Sequence, residues 1–277
     1  MNRRDFLANS GKTLLGTATL ASFPASIQKA LAIDAKVETG SIQDVKHVII
    51  LTQENRSFDN YFGTLKGVRG FGDRFTIPLS DNRKVWEQYD KNKNIVFPYH
   101  LDSTKGNAQR VSGTPHSWTD GQYAWNHGRM GNWVQYKQPQ SMGYYKQKEV
   151  EFQFSLANAF TICDAYHCAM HTGTNSNRMF LWTGSNGPKA TGVASVVNDL
   201  DAIGPSSTGY DWTTYPERLQ QAGVTWKVYQ NMPDNFTDNP LAGFKQYRRA
   251  NELSGKPVSN EGICPAYDPI VDATQPL

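Results

Sequence analysis

The 277 residues carry 28 Lys and Arg against 25 Asp and Glu, a formal net charge of +3. The surplus lies in residues 1–32, which hold Arg3, Arg4, Lys12 and Lys29 against Asp5; the other 245 residues then carry 24 charges of each sign. That balance excludes nucleic acid as a partner, and Arg248-Arg249 is too small a cluster to restore one. A chain of 245 residues suffices for one sizeable α/β domain, and three cysteines rule out a disulfide scaffold.

Residues 1–32 read as an export signal. Arg3-Arg4-Asp5-Phe6-Leu7 fits the twin-arginine pattern, a weakly apolar stretch follows from Leu14 to Phe23, and Ala30-Leu31-Ala32 offers a small-x-small cleavage site. The apolar stretch is too short to span a membrane. The twin-arginine export machinery is the expected partner, and the destination is periplasmic or secreted.

Val45–Thr52 reads as a core strand, because Val48-Ile49-Ile50-Leu51 is a continuous apolar run. Ser57–Phe62 reads as a short helix closed by Gly63. A hairpin is expected at Lys84–Val96 across Asp90-Lys91-Asn92. His100–Met142 is a long aromatic insertion, of a length that is functional or disordered; its tryptophans and tyrosines argue for order. Met142–Phe160 reads as helix, with Tyr145, Val150, Phe154 and Leu156 among its apolar positions. Thr161–His167 reads as a second core strand and Asn175–Thr183 as a helix closed by Gly184. Thr213–Ala222 is a helix with Pro216 in its first turn and Gly223 just past its end. Val224–Gln230 is a third core strand. This order suggests a layered α/β sheet.

Two clusters carry chemistry. Glu54 and Asn55 follow the first strand, where ligands sit in open α/β sheets, and both are hard oxygen donors suited to a divalent cation. A plain strand end with Ser57 as helix cap remains the alternative. The second cluster is His171-Thr172-Gly173-Thr174-Asn175-Ser176-Asn177-Arg178, at the start of an apolar helix. A hydroxyl there meets backbone N–H groups that favour negative charge, which suits a phosphate or an alkoxide nucleophile. On chemistry alone, Thr172, Thr174 and Ser176 are rivals, and an N-cap role competes with nucleophilicity. His116, in Thr114-Pro115-His116-Ser117-Trp118, is a loop histidine with either a packing or a proton-transfer role. His167 and His171 flank the second cluster, and His47 reads as a packing residue. Cys163 and Cys168 are placed for a local bridge, with a buried thiol as the alternative fate; Cys264 stands apart.

The run Glu54-Asn55-Arg56-Ser57-Phe58-Asp59-Asn60-Tyr61-Phe62-Gly63 resembles the opening motif of the bacterial phospholipase C and acid phosphatase family. Residues 174–178 are similar to that family's Ser/Thr-x-Pro-Asn-Arg signature, with Ser176 where proline is usual. The resemblance implies an alkaline-phosphatase-like layered α/β/α fold. It selects Thr174 as the nucleophile, with Asn177 and Arg178 binding substrate. It makes Glu54, Asn55 and Thr174 ligands of a divalent metal ion, and His116 a phosphate-binding or proton-donating residue. Trp118, Tyr123, Trp125, Trp133, Tyr136, Tyr144 and Tyr145 fall between residues 118 and 145. Rings of this kind bind quaternary ammonium by cation–π attraction worth roughly 0.5–2 kcal/mol each, so Trp118, Trp125, Trp133 and Tyr144 are candidate choline contacts; packing of the insertion is the competing role.

The implied reaction is phospholipase C hydrolysis of phosphatidylcholine or sphingomyelin at a membrane surface. A broad acid phosphatase of the same fold and a non-catalytic exported head-group binder are the alternatives. The family's later Asp-rich, His-containing motif has no counterpart; Asp211, Asp234, Asp238 and Asp268 lack its context. Residues 33–277 are therefore expected to be the N-terminal part of a phosphoesterase catalytic domain, truncated at the C-terminus.

Overall fold

The computed structural model describes residues 21–187, 195–198, 200, 204–230, 239–253 and 270–272. The chain divides into two compact units, residues 1–113 with 139–166 and residues 114–138 with 167–277. Helices and short strands are mixed along the chain, and the described strands form three two-stranded sheets.

In the first unit, helix α1 (Ala25–Ala32) buries Ile27 and packs against α5 (Glu151–Ala159). Helix α2 (Phe58–Phe62) starts where the Ser57 hydroxyl accepts the Asn60 N–H at 3.1 Å, and stops at Gly63. Phe71 fixes that stop: a Cβ on Gly63 would lie 2.5 Å from its ring. Strands β1 (Gln88–Tyr89) and β2 (Ile95–Val96) form the expected antiparallel hairpin, with Asp90 accepting the Asn92 and Asn94 N–H groups across the turn. Strand β3 (Tyr99–His100) pairs in parallel with β4 (Gly143–Tyr144). The Asn60 amide donates to the Gly143 carbonyl at 2.8 Å, tying α2 to this pair. Phe62 meets Phe154 of α5 with ring centroids 5.9 Å apart.

In the second unit, α3 (Trp118–Trp125) and α4 (Trp133–Lys137) pack together inside the aromatic insertion. Helix α6 (Thr174–Thr183) closes at Gly184 in the left-handed region, φ 79°. Helix α7 (Tyr215–Gln221) opens on a Thr214–Glu217 capping box with Pro216 in its first turn, and Gly223 follows at φ 69°. Strand β5 (Val228–Gln230) pairs in parallel with β6 (Ile270–Asp272). The core gathers Met179, Tyr210, Leu241, Phe244 and Tyr247 under α8 (Lys245–Leu253). Arg248 is buried here and donates to the Ala242 carbonyl at 2.6 Å and the Thr208 carbonyl at 2.9 Å, so its charge serves the core rather than a surface patch.

Four expected elements differ. Val45–Thr52 forms no ladder, and its side chains face water: Val48 is 78% exposed, Ile49 91% and Leu51 85%. A doubly apolar strand needs neighbours on both edges and layers on both faces, and the described residues supply neither. Thr161–His167 is likewise an unpaired, mostly exposed segment. The helix expected over Met142–Phe160 is confined to Glu151–Ala159, because Gly143–Tyr144 is drawn into the pair with β3. Strand β5 begins at Val228, four residues later than expected. His47 is exposed rather than packed. Cys163 and Cys168 are free and exposed, neither bridged nor buried, and Cys264 lies outside the described residues, as do Asp234, Asp238 and Asp268. Among the described residues no helix is long and apolar enough to cross a membrane.

Candidate active site

Thr174 is the first residue of α6, and Gly173 before it is extended (φ −74°, ψ −175°). The residue therefore stands in the first turn, whose backbone N–H groups lack intrahelical partners and favour negative charge. Of its two rivals, Thr172 donates its hydroxyl to the Val196 carbonyl at 2.6 Å, and Ser176 is fully buried. Thr174 is half-buried, with a face toward solvent that Ser176 lacks.

The approach to Thr174 is shaped by backbone. Asn177 uses its side chain to hold the preceding loop: its amide donates to the carbonyls of Met170 at 3.1 Å and Gly173 at 3.0 Å, and its oxygen accepts the Met170 N–H at 3.1 Å. Arg178 is half-buried on the same helix. Beside this loop lies an open cleft of about 430 Å³ lined by His116, Trp118, Asp120, Thr172, Gly173 and Asn198, among others; Thr174 follows Gly173 and is not itself in the lining. His116 is exposed there, with Nδ1 2.8 Å from the Thr114 carbonyl. A carbonyl only accepts, so Nδ1 carries the proton of the neutral ring and Nε2 is left for exchange with a ligand.

An ion pair braces the His116 loop. Lys137 of α4 donates to the Pro115 carbonyl at 2.7 Å and to the Asp120 carboxylate. Asp120 closes the capping box of α3 with Ser117. Burial works against the Asp120 charge, but hydrogen bonds from Lys137 and Ser117 outweigh it and hold the carboxyl below its ordinary range. Close packing fixes α3 against the nucleophile loop: a Cβ on Gly121 would lie 2.2 Å from the His171 carbonyl oxygen. The His171 ring stacks on Trp125 at 5.6 Å. Burial, with the charges of Lys137 and His167, lowers its pKa.

The candidate choline contacts divide between the units. Trp118 lines the cleft, Trp125 stacks on His171, and Trp133 is half-buried at the start of α4. Tyr144 belongs to the first unit, where it packs on Phe71 and His100. Tyr123 and Tyr136 stack on each other at 5.0 Å.

Glu54 and Asn55 also lie in the first unit. Glu54 is half-buried, and Asn55 is exposed at φ 61°, a left-handed conformation that asparagine tolerates better than most residues. Asp59, one turn on, has its carboxyl raised to about 6 by burial. Among the described residues no three His, Cys, Asp or Glu side chains are grouped to hold a metal ion. A carboxylate and an amide carbonyl are the donor chemistry of a hard divalent cation, which Glu54 and Asn55 offer within the first unit.

Sequence reasoning passed over Asp120, Lys137 and Asn198. The Ser-x-x-Asp spacing of Ser117 and Asp120 was a readable capping signal. Nothing local marks Lys137 or Asn198, whose roles depend on tertiary contacts.

A profile of the Phosphoesterase family matches residues 45–261. The chain is 57% identical over 250 residues to the non-hemolytic phospholipase C of Pseudomonas aeruginosa, covering 90% of this chain and 36% of that protein. It is 45% identical over 233 residues to the hemolytic phospholipase C of the same organism, covering 82% and 31%. It is 33% identical over 285 residues to phospholipase C B of Mycobacterium tuberculosis, covering 96% and 54%. The chain thus spans about a third to a half of the length of these relatives. A profile match over more than three quarters of its residues places it plainly: this chain belongs to the phosphoesterase family.

Proposed function

We propose that this chain carries the nucleophile half of an exported phospholipase C that hydrolyses phosphatidylcholine, or sphingomyelin, to a lipid alcohol and phosphocholine. The observation that carries the reading is Thr174, half-buried at the first position of α6 beside a cleft that His116 lines. The phospholipase C names of relatives at 57% and 45% identity support the substrate class.

In this reading the Thr174 oxygen attacks phosphorus as its hydroxyl proton passes to Nε2 of His116, and the lipid alcohol oxygen leaves with that proton. Water then attacks the phosphothreonine and gives a proton to His116, which returns it to the Thr174 oxygen as phosphocholine departs. A divalent cation bound in part by Glu54, Asn55 and Thr174 would lower the pKa of the threonine hydroxyl. Asn177 keeps the loop that aims Thr174. The layered alkaline-phosphatase-like sheet belongs to this proposal, with Val45–Thr52 as a strand that becomes paired when further strands are present. Export through the twin-arginine route rests on Arg3-Arg4 and on the small residues at Ala30 and Ala32.

One observation favours a second reading. Among the described residues Trp118 is the one Trp or Tyr lining the cleft, which suits a broad phosphatase better than a closed choline cage. The test is phosphocholine release from phosphatidylcholine and from sphingomyelin by the chain from Ile33 onward. Divalent cations are added, Thr174→Ala is run beside it, and a soluble aryl phosphate serves as the phosphatase arm. Phosphocholine release that disappears in Thr174→Ala is expected. Turnover of the aryl phosphate alone would replace the lipase reading by the phosphatase one, and turnover that survives Thr174→Ala would remove Thr174 from the role.

A further inference from the structure

We propose that Asn198 is a phosphate-binding residue of this site, its side-chain Nδ2 donating to a phosphoryl oxygen held in front of Thr174. This rests on the reading above for the identity of the nucleophile. The Oδ1 atom of Asn198 accepts the backbone N–H of Asn175 at 3.0 Å, at the start of α6. A backbone N–H only donates, so the atom facing it must be the oxygen, and the amide orientation is fixed. The remaining polar atom is Nδ2, a donor, and no described residue accepts from it.

The placement is held from several sides. Thr172 donates to the Val196 carbonyl at 2.6 Å, and Asn186 donates to the Ser195 carbonyl at 2.9 Å, so residues 195–198 run anchored along α6. A Cβ on Gly173 would lie 2.7 Å from the His116 carbonyl oxygen and 2.8 Å from Asn198 Oδ1. His116 and Asn198 therefore both pack against Gly173, which directly precedes Thr174. Asn198 is exposed on the wall of the cleft it shares with His116.

The hydrogen bond also changes what the helix end offers. Asn198 takes up the Asn175 N–H, which an anion would otherwise use. It returns a donor on the cleft side, polarised by the bond its oxygen already makes. A neutral donor adds no charge, so its effect is greatest where negative charge develops on phosphoryl oxygen during attack.

The test uses the full chain and inorganic phosphate as probe, titrated by calorimetry, beside phosphocholine release and thermal unfolding. Asn198→Ala removes both ends of the amide. Asn198→Asp keeps the acceptor for Asn175 and replaces the donor by an anion. The expected result is phosphate affinity at least about tenfold weaker in both variants, with Asn198→Asp keeping the unfolding midpoint that Asn198→Ala lowers. Where turnover is measurable, kcat falls more than KM rises.

Asn198→Asp that restores phosphate binding along with stability would overturn the assignment, since a purely structural cap needs only the acceptor. A parent chain that binds no phosphate at millimolar concentration would overturn it too. Lipid turnover with unchanged phosphate binding in Asn198→Asp removes Asn198 and leaves the phospholipase reading standing. Asn198-dependent phosphate binding without phosphocholine release keeps Asn198 and removes that reading.

Discussion

The Nε2 atom of His100 lies 3.0 Å from the Glu149 carboxylate, whose side chain is fully enclosed. The pair joins β3 to the turn before α5, and the imidazole stacks on Tyr144 at 5.8 Å. Burial alone would raise the Glu149 carboxyl. Hydrogen bonds from His100, the Lys146 N–H and Lys148 outweigh it and bring the carboxyl from 4.5 down to about 2. A lowered carboxyl contributes stability that is complete above pH 4.5 and lost as pH falls toward 2. Glu149→Gln is expected to cost about 2 kcal/mol at pH 7 and to flatten the acid limb of the stability curve. Urea unfolding at several pH values between 2 and 7 checks both; an unchanged acid limb would show that Glu149 is not the titrating group.

Asp59 works in the opposite sense. Its carboxyl is raised from 3.8 to about 6 by burial, so the folded chain holds that proton where the unfolded chain releases it. Stability from this group is greatest below pH 4 and falls as pH rises through 6. Asp59→Asn should stabilise the chain at pH 7 by about 1 kcal/mol, a figure reduced by the group's partial exposure, and should leave stability at pH 4 nearly unchanged. Equal effects at the two pH values would contradict it.

Lys137 and Asp120 form the brace under the His116 loop, and both side chains are mostly enclosed, at 11% and 15% exposure. Removing one partner leaves the other buried without its counter-charge. Lys137→Met is therefore expected to cost about 3 kcal/mol, and Asp120→Asn a comparable amount. The double variant should cost less than the two singles together, because the pair then disappears as a unit. Thermal unfolding of the three variants reads the coupling; strict additivity would place the two residues in independent roles.

Local chemistry was legible where the chain punctuates itself. Ser57 with Gly63, Pro216 with Gly223, and Gly184 after Thr183 each bounded a helix close to its observed limits. The Asp90-Lys91-Asn92 turn placed the hairpin. Paired structure was not legible in the same way. The apolar run at Val48–Leu51 has the composition of a buried strand, yet a strand is made by its neighbours, and composition does not supply them. Thr174 was reached through a motif. Lys137 and Asn198 were not reached, because an ion pair to Asp120 with a hydrogen bond to the Pro115 carbonyl, or an amide laid against Asn175, has no local signature.

That contrast can be measured at Ile49. With 91% of its surface in water, Ile49→Asn should change the stability of this chain by less than about 0.5 kcal/mol and should raise its solubility. In a longer chain whose added strands cover the run, the same change should cost about 3 kcal/mol. Unfolding of the variant in both contexts separates the cases; a large loss in this chain alone would mean that Val48–Leu51 is already paired.

Gly173 tests the geometry around Thr174 most directly. Its backbone is extended and open to any residue, so the constraint on it is space and not conformation. An alanine methyl would press on the His116 backbone carbonyl at 2.7 Å and on the Asn198 side-chain oxygen at 2.8 Å, of which only the second can swing aside. Gly173→Ala should therefore displace the Asn198 amide from Asn175 and widen the gap between His116 and Thr174, at a cost of about 1–3 kcal/mol. Phosphate affinity should fall with it. The informative comparison is Gly184→Ala at the far end of the same helix, where open space surrounds the added methyl and the penalty comes from φ 79° instead. Gly184→Ala should lower the unfolding midpoint and leave phosphate affinity intact, whereas Gly173→Ala should lower both. If the two variants lose stability alike and neither loses phosphate affinity, the contact of Gly173 with His116 and Asn198 is packing without a part in the site.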